Sequence, residues 1–226
     1  MAFPTIVDYD TTLVASNTTS HEQNIPTEYS AGDLLLCLFT CDAADVALGI
    51  TTGTGWVEIA EYSNIEITTG IFYKLSAADS SADDLTLSTN SNQHSASIIY
   101  AISGHDDSEV PDYSRSNGNS TNADPPSLTP TNGRHDYLWI VCMATDGTVV
   151  ASSEPTDFSN LITRASSSSS DGVSISSAQR NYHTNNTAYN PGTFTSATEQ
   201  WVAITIAITP EEGPGFGISS VIYRIT

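Results

Sequence analysis

Apolar residues fall in short runs along this chain, and each run has the length of a β-strand. The run at 34–39 is continuously apolar, whereas residues 56–60 alternate between apolar and polar. Both patterns are typical of strands, and no stretch keeps the i, i+3, i+4, i+7 spacing of a helix for three turns. The predicted strands are residues 34–39, 56–60, 71–73, 85–88, 98–102, 137–144, 161–162, 173–176 and 201–208. We therefore expect an all-β, antiparallel fold.

The strand pattern occurs twice. Four pairs of landmarks keep the same order and lie 102 to 106 residues apart: Asp33 and Asp136, Trp56 and Phe158, Gly70 and Gly172, Ala101 and Ala207. This spacing is too long for a solenoid repeat of roughly 20–50 residues. It predicts one β-sandwich made of two similar, interleaved halves with extended arms at both termini.

The predicted organisation has three parts. Residues 1–30 form an N-terminal arm with a short strand near Thr12–Ala15, and residues 31–210 form the sandwich. The half-repeats cover about 31–104 and 134–210, and the polar stretch between them, with its turn-forming Gly and Pro residues, crosses from one half to the other. Residues 211–226 are a hinged, β-prone tail.

Three predicted strands, at 34–39, 98–102 and 138–144, are apolar on both faces. A strand with one solvated face alternates instead. One face of these strands serves the sandwich core. The other face needs cover from the N-terminal arm, from a loop or from another subunit, and the sequence leaves these alternatives open.

The C-terminal tail is the predicted partner-binding segment. After the Gly-Pro hinge at 213–215, the chain resumes with apolar residues at strand spacing. Such a segment can add a strand to its own domain or to a neighbour. The partner-binding candidates are Ile218, Val221, Ile222, Tyr223 and Ile225.

The net charge of the chain limits the kinds of partner that it can bind. The 226 residues include 26 acids and 6 bases, a formal net charge of −20. Binding to phosphate backbones or to anionic lipid needs clustered Lys and Arg, so we expect neither nucleic acid nor membrane as a partner. The N-terminus lacks the basic and apolar regions of a signal peptide, and no apolar run reaches membrane-span length. We expect a soluble protein that is not routed for secretion.

Candidate chemistry is sparse. Cys37, Cys41 and Cys142 show neither the count of a disulfide framework nor the spacing of a zinc site, and the five histidines are scattered through polar stretches. No nucleophile or cofactor motif occurs, so we predict no catalytic residue, no cofactor and no enzyme activity. The metal candidate is calcium, on the acidic loop residues Asp106, Asp107, Glu109 and Asp112. A pair of carboxylates for glycoside hydrolysis stays open because their separation cannot be read from a sequence.

The order of several motifs resembles that of a family of virion structural proteins. These are Gly32-Asp33-Leu34-Leu35-Leu36, Gly55-Trp56, Phe72-Tyr73-Lys74, residues 97–104 and residues 201–208. Over about residues 30–210 the chain resembles jelly-roll virion components of tailed bacteriophages. The resemblance implies a capsid cement or decoration protein, or a tail-associated module that binds a receptor or carbohydrate. It implies no catalytic residues.

Within that resemblance, the absence of any fibre-like shaft sequence and the β-prone tail favour the capsid role. We expect a homotrimer on the outer surface of the capsid, made in the host cytoplasm, with the major capsid protein and copies of itself as partners. The negative charge suits a surface that does not face DNA.

Overall fold

The computed structural model describes residues 2–76, 83–133, 136–166, 172–184 and 187–212. These residues form strands, turns and bends and no helix, which confirms the all-β prediction. The strands are β1 (Thr5–Gln23), β2 (Leu34–Asp42), β3 (Leu48–Thr52), β4 (Val57–Ser63), β5 (Ile67–Leu75), β6 (Leu85–Ser103), β7 (Asp112–Ser120), β8 (Asp136–Asp146), β9 (Ser159–Ala165), β10 (Val173–His183) and β11 (Glu199–Ile208).

The strands form two antiparallel sheets packed face to face, as a sandwich of two similar halves. The first sheet has the order β1-β6-β2-β5-β4, with β3 also paired to β6, and the second has the order β7-β11-β8-β10-β9. The two orders correspond strand by strand: β1 matches β7, β6 matches β11, β2 matches β8, β5 matches β10 and β4 matches β9. The prediction that the halves interleave is wrong, because each half forms one complete sheet and the two sheets stack.

Side-chain details repeat along with the strands. Asp8 and Asp112 stand opposite Ala101 and Ala207 in their ladders. Each carboxylate accepts a hydrogen bond from a backbone N–H 19 residues further along, that of Thr27 or Thr131.

The turn before β4 also recurs before β9. Trp56 N–H donates to Gly53 O, and Phe158 N–H donates to Pro155 O. Both turns contain a residue with positive φ, which is Gly55 in the first and Asp157 in the second. We infer that the two halves arose by duplication.

Two of the strands lie in segments for which the sequence predicts an arm or a crossover. Residues 5–23, interpreted as an arm with a short strand, form a 19-residue edge strand along β6. Residues 112–120, interpreted as part of the crossover, form edge strand β7. Among the described strands each pairs with one neighbour and has a solvated side, so its residues are largely polar and lack the apolar run of a central strand.

The main core lies between the sheets and is built by alternation. In β2, Leu34, Leu36 and Leu38 face the opposite sheet, whereas Leu35 and Cys37 face outward. Residues of both sheets contribute, including Ile98, Ile140, Ile175 and Ile204.

The outward faces are covered by the chain itself, which answers the question left open by the doubly apolar strands. Val46 and Trp56 lie over the first sheet, with the partly buried Tyr29 against them. Leu128 and Phe194 cover the second sheet in the same way. Covering loops take the place of a second subunit on these faces.

Candidate binding groove at one seam of the sandwich

The stacked sheets meet along two seams. Because the two sheet orders run in opposite directions across the sandwich, β1 lies beside β9 at one seam and β4 lies beside β7 at the other. We call these the β1/β9 seam and the β4/β7 seam. The duplication makes them equivalent, since each joins the first strand of one sheet order to the last strand of the other.

The β4/β7 seam is bridged by polar side chains. The Arg115 guanidinium lies 3.8 Å from the ring centre of Tyr62, a cation–π distance. The Asn117 side-chain amide donates a hydrogen bond to the Tyr62 hydroxyl. Tyr73, on the neighbouring strand β5, packs against the core. These contacts hold the two edge strands together.

The β1/β9 seam contains a groove of about 390 Å³. Its lining comprises residues 6–9 of β1, Tyr100 of β6, residues 160–162 and Gln179. Its volume lies within the roughly 300–1,000 Å³ of small-ligand sites. Most of the lining is apolar or aromatic, with two side-chain amides and one carboxylate among it.

Gln179 is the polar group that sets this groove apart. Its Oε1 atom is buried and accepts no hydrogen bond within the described part of the chain. Gln179 stands opposite Ser159 in the β10–β9 ladder, and its counterpart in the first half is Tyr73, opposite Val57. The first half therefore has a packed aromatic ring where the second half has an amide facing a groove.

Two backbone irregularities border the groove. The β1–β6 register shifts between Ile6 and Asp8, so Val7 forms a bulge and 42 % of its surface is exposed. Asn160 has φ of 58°, in the left-handed region that few residues other than glycine adopt. Bulges and such backbone strain are enriched beside functional sites.

Among the described residues that line the groove, Asp8 alone is charged. Its side chain lies towards the outer face of the sheet, where its ladder partner Ala101 packs, and it accepts from the backbone N–H groups of Tyr9, Thr27 and Glu28. Tyr9 is 49 % exposed, and its ring lies 6.4 Å from that of the buried Tyr100. The groove thus offers the exposed Tyr9 ring and two side-chain amides.

A second cluster of polar groups lies where the central strands end. Glu66, Asp146 and Glu199 bring carboxylate oxygens within 4.8 Å of one another. Asp42 and Asp146 are the equivalent last residues of β2 and β8, and they share a hydrogen bond. Burial and this carboxyl neighbour raise the pKa of Asp146 to about 7. The donor set has the oxygen chemistry that hard cations such as Ca²⁺ bind.

The acidic loop proposed from the sequence is arranged differently. Asp106 accepts from the backbone N–H and the hydroxyl of Ser108, and Asp112 accepts from Thr131. In the described ranges, the only group of three with metal-ligand distances is the one at Glu66, and Asp106, Asp107, Glu109 and Asp112 are not part of it. Calcium binding by that loop stays a prediction. The partner-binding candidates Ile218, Val221, Ile222, Tyr223 and Ile225 lie outside the described residues.

The expectation that the histidines lie in polar, loop-like stretches is wrong for three of them, because His21 lies in β1, His94 in β6 and His183 at the end of β10. Of these, His21 is fully buried. Its Nε2 is 3.0 Å from the Thr89 hydroxyl and its Nδ1 is 2.9 Å from that of Ser95. Burial lowers the pKa of His21 to about 4, so the ring is neutral and structural. Cys37, Cys41 and Cys142 are buried free thiols.

No spacing in the sequence identifies the groove. Its residues come from four strands separated by up to about 170 positions, and only the pairing of β1 with β6 and of β10 with β9 brings them together. The offset between the halves does not reveal it either, since the nearby landmarks Gly70 and Gly172 would match Tyr73 to Ile175, whereas the ladders match it to Gln179.

Two further findings bear on function. Among the described residues, no helix is long and apolar enough to cross a membrane. The chain matches no protein-family model, no curated protein and no solved structure.

Proposed function

We propose that this chain is a non-enzymatic structural protein that works through its sheet edges. The observation that carries the proposal is the strand order, which leaves β1, β4, β7 and β9 each with a side that pairs with no other described strand. The outward sheet faces are already covered by the chain's own loops. Unpaired edges bind other chains by adding strands, so they are the surfaces left for assembly.

The specific role that we propose is a cement or decoration protein on the outer capsid surface of a tailed bacteriophage. It would stabilise the head by bridging subunits of the major capsid protein, as a homotrimer with its C-terminal residues reaching a neighbour. This role comes from the family resemblance, and the unpaired edges and the net charge of −20 are compatible with it.

The test is the location of the protein in particles. Immunogold labelling is expected over the head, and deletion of residues 213–226 is expected to lower occupancy there. The urea denaturation midpoint of the truncated chain, compared with that of the full chain, controls for loss of folding. Labelling confined to the tail tip, or wild-type occupancy by the truncated chain, contradicts the cement role.

The groove favours a second candidate, a tail-associated module that binds a receptor or carbohydrate. A lined cavity with aromatic and amide groups suits a binding module better than a purely architectural one. Labelling at the tail tip, together with blocking of phage adsorption by the purified protein, would support this candidate over the first.

A further inference from the structure

The β1/β9 seam is open, whereas the equivalent seam is closed by its own side chains. At the β4/β7 seam, the Arg115 guanidinium lies 3.8 Å from the ring centre of Tyr62. The equivalent positions of the β1/β9 seam hold Thr11 and Arg164, and this seam keeps a groove of about 390 Å³. The open seam therefore has room for a further segment of polypeptide.

The accessible surface of the groove is mainly apolar. Val7 is 42 % exposed and Tyr9 is 49 % exposed. Ile6, Leu161 and Ile162 line the same groove and are only partly buried. Removing apolar surface from water favours association, so the groove favours an occupant with apolar side chains.

The chain leaves the described sandwich beside this groove. After β11 it crosses the end of the sandwich, and the Glu211 N–H donates to Gly104 O at 2.9 Å. A Cβ at Gly104 would lie 3.9 Å from the Cα of Pro4. Ile6, which lines the groove, is two residues further along β1. The residues after Glu211 therefore begin at the end of the groove.

The duplication gives these residues a place in the repeat. The offset of 106 between Ala101 and Ala207 matches β7, residues 112–120, to residues 218–226. These residues carry the apolar partner-binding candidates at strand spacing, whereas β7 is largely polar. The crossing after β6 leads to β7 along one seam, and the crossing after β11 leads towards β1 along the other.

The intervening residues permit the turn into the groove. Residues 212–215 span at most about 14 Å when extended, which covers the step from Gly104 to Ile6. Two of them, at 213 and 215, are glycines, which adopt turn conformations without steric cost. Residues 213–226 contain one base and no acid, so they approach an acidic protein without like-charge repulsion.

We propose that the β1/β9 groove is the docking site of the chain's own C-terminal segment, residues 216–225, whose apolar side chains cover Val7, Leu161 and Ile162. The segment docks through side chains and not as a strand added to β1. The backbone N–H groups of Tyr9 and Thr11 already donate to the carboxylates of the residues before them, at 2.8 and 2.6 Å.

One consequence rests on the proposed function. In the capsid role, the segment of one copy occupies the groove of a neighbouring copy, an exchange of identical elements that keeps the same contacts. A glycan is the competing occupant of the groove. Docking of the segment closes the site on which the tail-associated candidate depends.

The binding experiment places a nitroxide spin label on the full chain at Ser220→Cys and records methyl signals by NMR. The three native thiols stay unlabelled, because they are buried and burial raises the pKa of each thiol. The label is expected to remove most of the signal intensity of Val7, Leu161 and Ile162. Val57, which is 48 % exposed at the other seam, is expected to keep its intensity.

A mixed sample separates the chain's own segment from that of a second copy. Spin-labelled chains without isotope enrichment are mixed with isotope-enriched chains that carry no spin label. The groove signals of the enriched chains are expected to keep their intensity, because each groove is filled by the segment of the same chain.

Variants locate the contact. Val7→Asp places a charge in the groove and is expected to restore the intensity of Leu161 and Ile162. Val57→Asp makes the same change at a similarly exposed valine of the other seam and is expected to leave the loss in place. Ile222→Asp changes the segment and leaves the groove intact, and it is expected to restore all the groove signals even if Val7→Asp fails to fold.

Four outcomes overturn the proposal. The first is full intensity of the groove signals in the spin-labelled chain. The second is a loss that persists in both Val7→Asp and Ile222→Asp. The third is a loss in the mixed sample, which assigns the groove to a second copy. The fourth is that N-acetylglucosamine shifts the groove signals of the full chain, which identifies an open glycan site. Failure of the cement role is distinguished from these outcomes, because labelling of the head does not depend on where the segment docks in the free protein.

Discussion

The two halves of this chain form sheets with the same strand order, and they differ in how they hold the loops that cover those sheets. In the first half, the buried Lys74 pairs with Asp83 at 2.6 Å and anchors the covering layer. In the second half, the equivalent base Arg180 pairs at 3.2 Å with Asp157, whose side chain is 64 % exposed. The halves share the turns before β4 and β9 and the backbone hydrogen bonds accepted by Asp8 and Asp112. They differ in the ion pairs beside the covering loops and at the seams, where the fold tolerates other side chains and a binding site can form.

The largest predicted difference concerns these two bases. Lys74→Met leaves the fully buried Asp83 without its cation and is expected to lower the free energy of unfolding by about 3–5 kcal/mol. Arg180→Met breaks a partly exposed pair and its stacking on Tyr182, and a loss of about 1–2 kcal/mol is expected. Urea denaturation of both variants measures the contrast.

The double variant Lys74→Met/Asp83→Leu is the control. Replacing both charges with apolar groups is expected to recover part of the loss, because no unpaired charge is left behind. Equal losses for Lys74→Met and Arg180→Met would contradict the view that the halves anchor their outer layers differently.

The next effect concerns the carboxyl pair that the halves share. Because the folded state raises the pKa of Asp146 to about 7, it retains a proton that the unfolded chain gives up near pH 4. Stability from this group is complete below about pH 4 and is lost as the pH rises to about 7. Asp146→Asn is expected to remove that loss, about 1–2 kcal/mol after allowance for solvent screening.

The measurement is the difference in unfolding free energy between wild type and Asp146→Asn across this pH range. A difference is needed because the lowered pKa of His21 acts in the opposite sense, adding stability as the pH rises from about 4 to 6.5. Asp42→Asn should give the same pH profile, since either substitution ends the sharing of a proton. A profile parallel to wild type would show that the two carboxyls do not couple.

The sequence was enough to predict the class of fold and the duplication, because both rest on local patterns. The apolar runs give the central strands, and landmarks such as Trp56 and Phe158 recur at the same turn of each half. Edge strand β7 and most of β1, of which only Thr12–Ala15 was predicted, were missed because one solvated side leaves them polar. The sequence did not reveal that the two halves stack as separate sheets. That arrangement depends on which strands pair, and the spacing of apolar residues does not determine the pairing.

The groove could not be predicted for the same reason. Gln179 is an ordinary residue in the sequence, and it becomes unusual only when the ladder places its amide beside β1 with its oxygen unpaired. The acidic loop at Asp106 shows the converse. Four nearby acids predict a metal site, but Asp106 and Asp112 are used to fix turns and a loop.

A smaller loss of unfolding free energy is expected when the bridge at the β4/β7 seam is broken. Arg115→Ala removes the guanidinium over Tyr62 and is expected to cost about 0.5–1 kcal/mol, the range for exposed cation–π pairs. The reciprocal design is Thr11→Arg with Arg164→Tyr, which places the same pair at the equivalent positions of the β1/β9 seam. It is expected to gain a similar amount in urea denaturation. A loss in the transplanted pair would mean that the seams differ in backbone spacing as well as in side chains.

The smallest predicted effect decides how the binding experiment is interpreted. Tyr9 and Tyr113 occupy equivalent positions on the two edge strands and are 49 % and 37 % exposed. Exposed side chains outside special contacts change stability little, so Tyr9→Ala and Tyr113→Ala are each expected to cost less than about 0.5 kcal/mol in urea denaturation. If Tyr9→Ala instead costs more than about 1 kcal/mol while Tyr113→Ala does not, Tyr9 is a plug of the open seam. Its ring would then be held in place by its contact with Tyr100 and would not be available to a ligand. If both costs are small, a loss of binding in Tyr9→Ala that is not matched in Tyr113→Ala reports on the groove and not on folding.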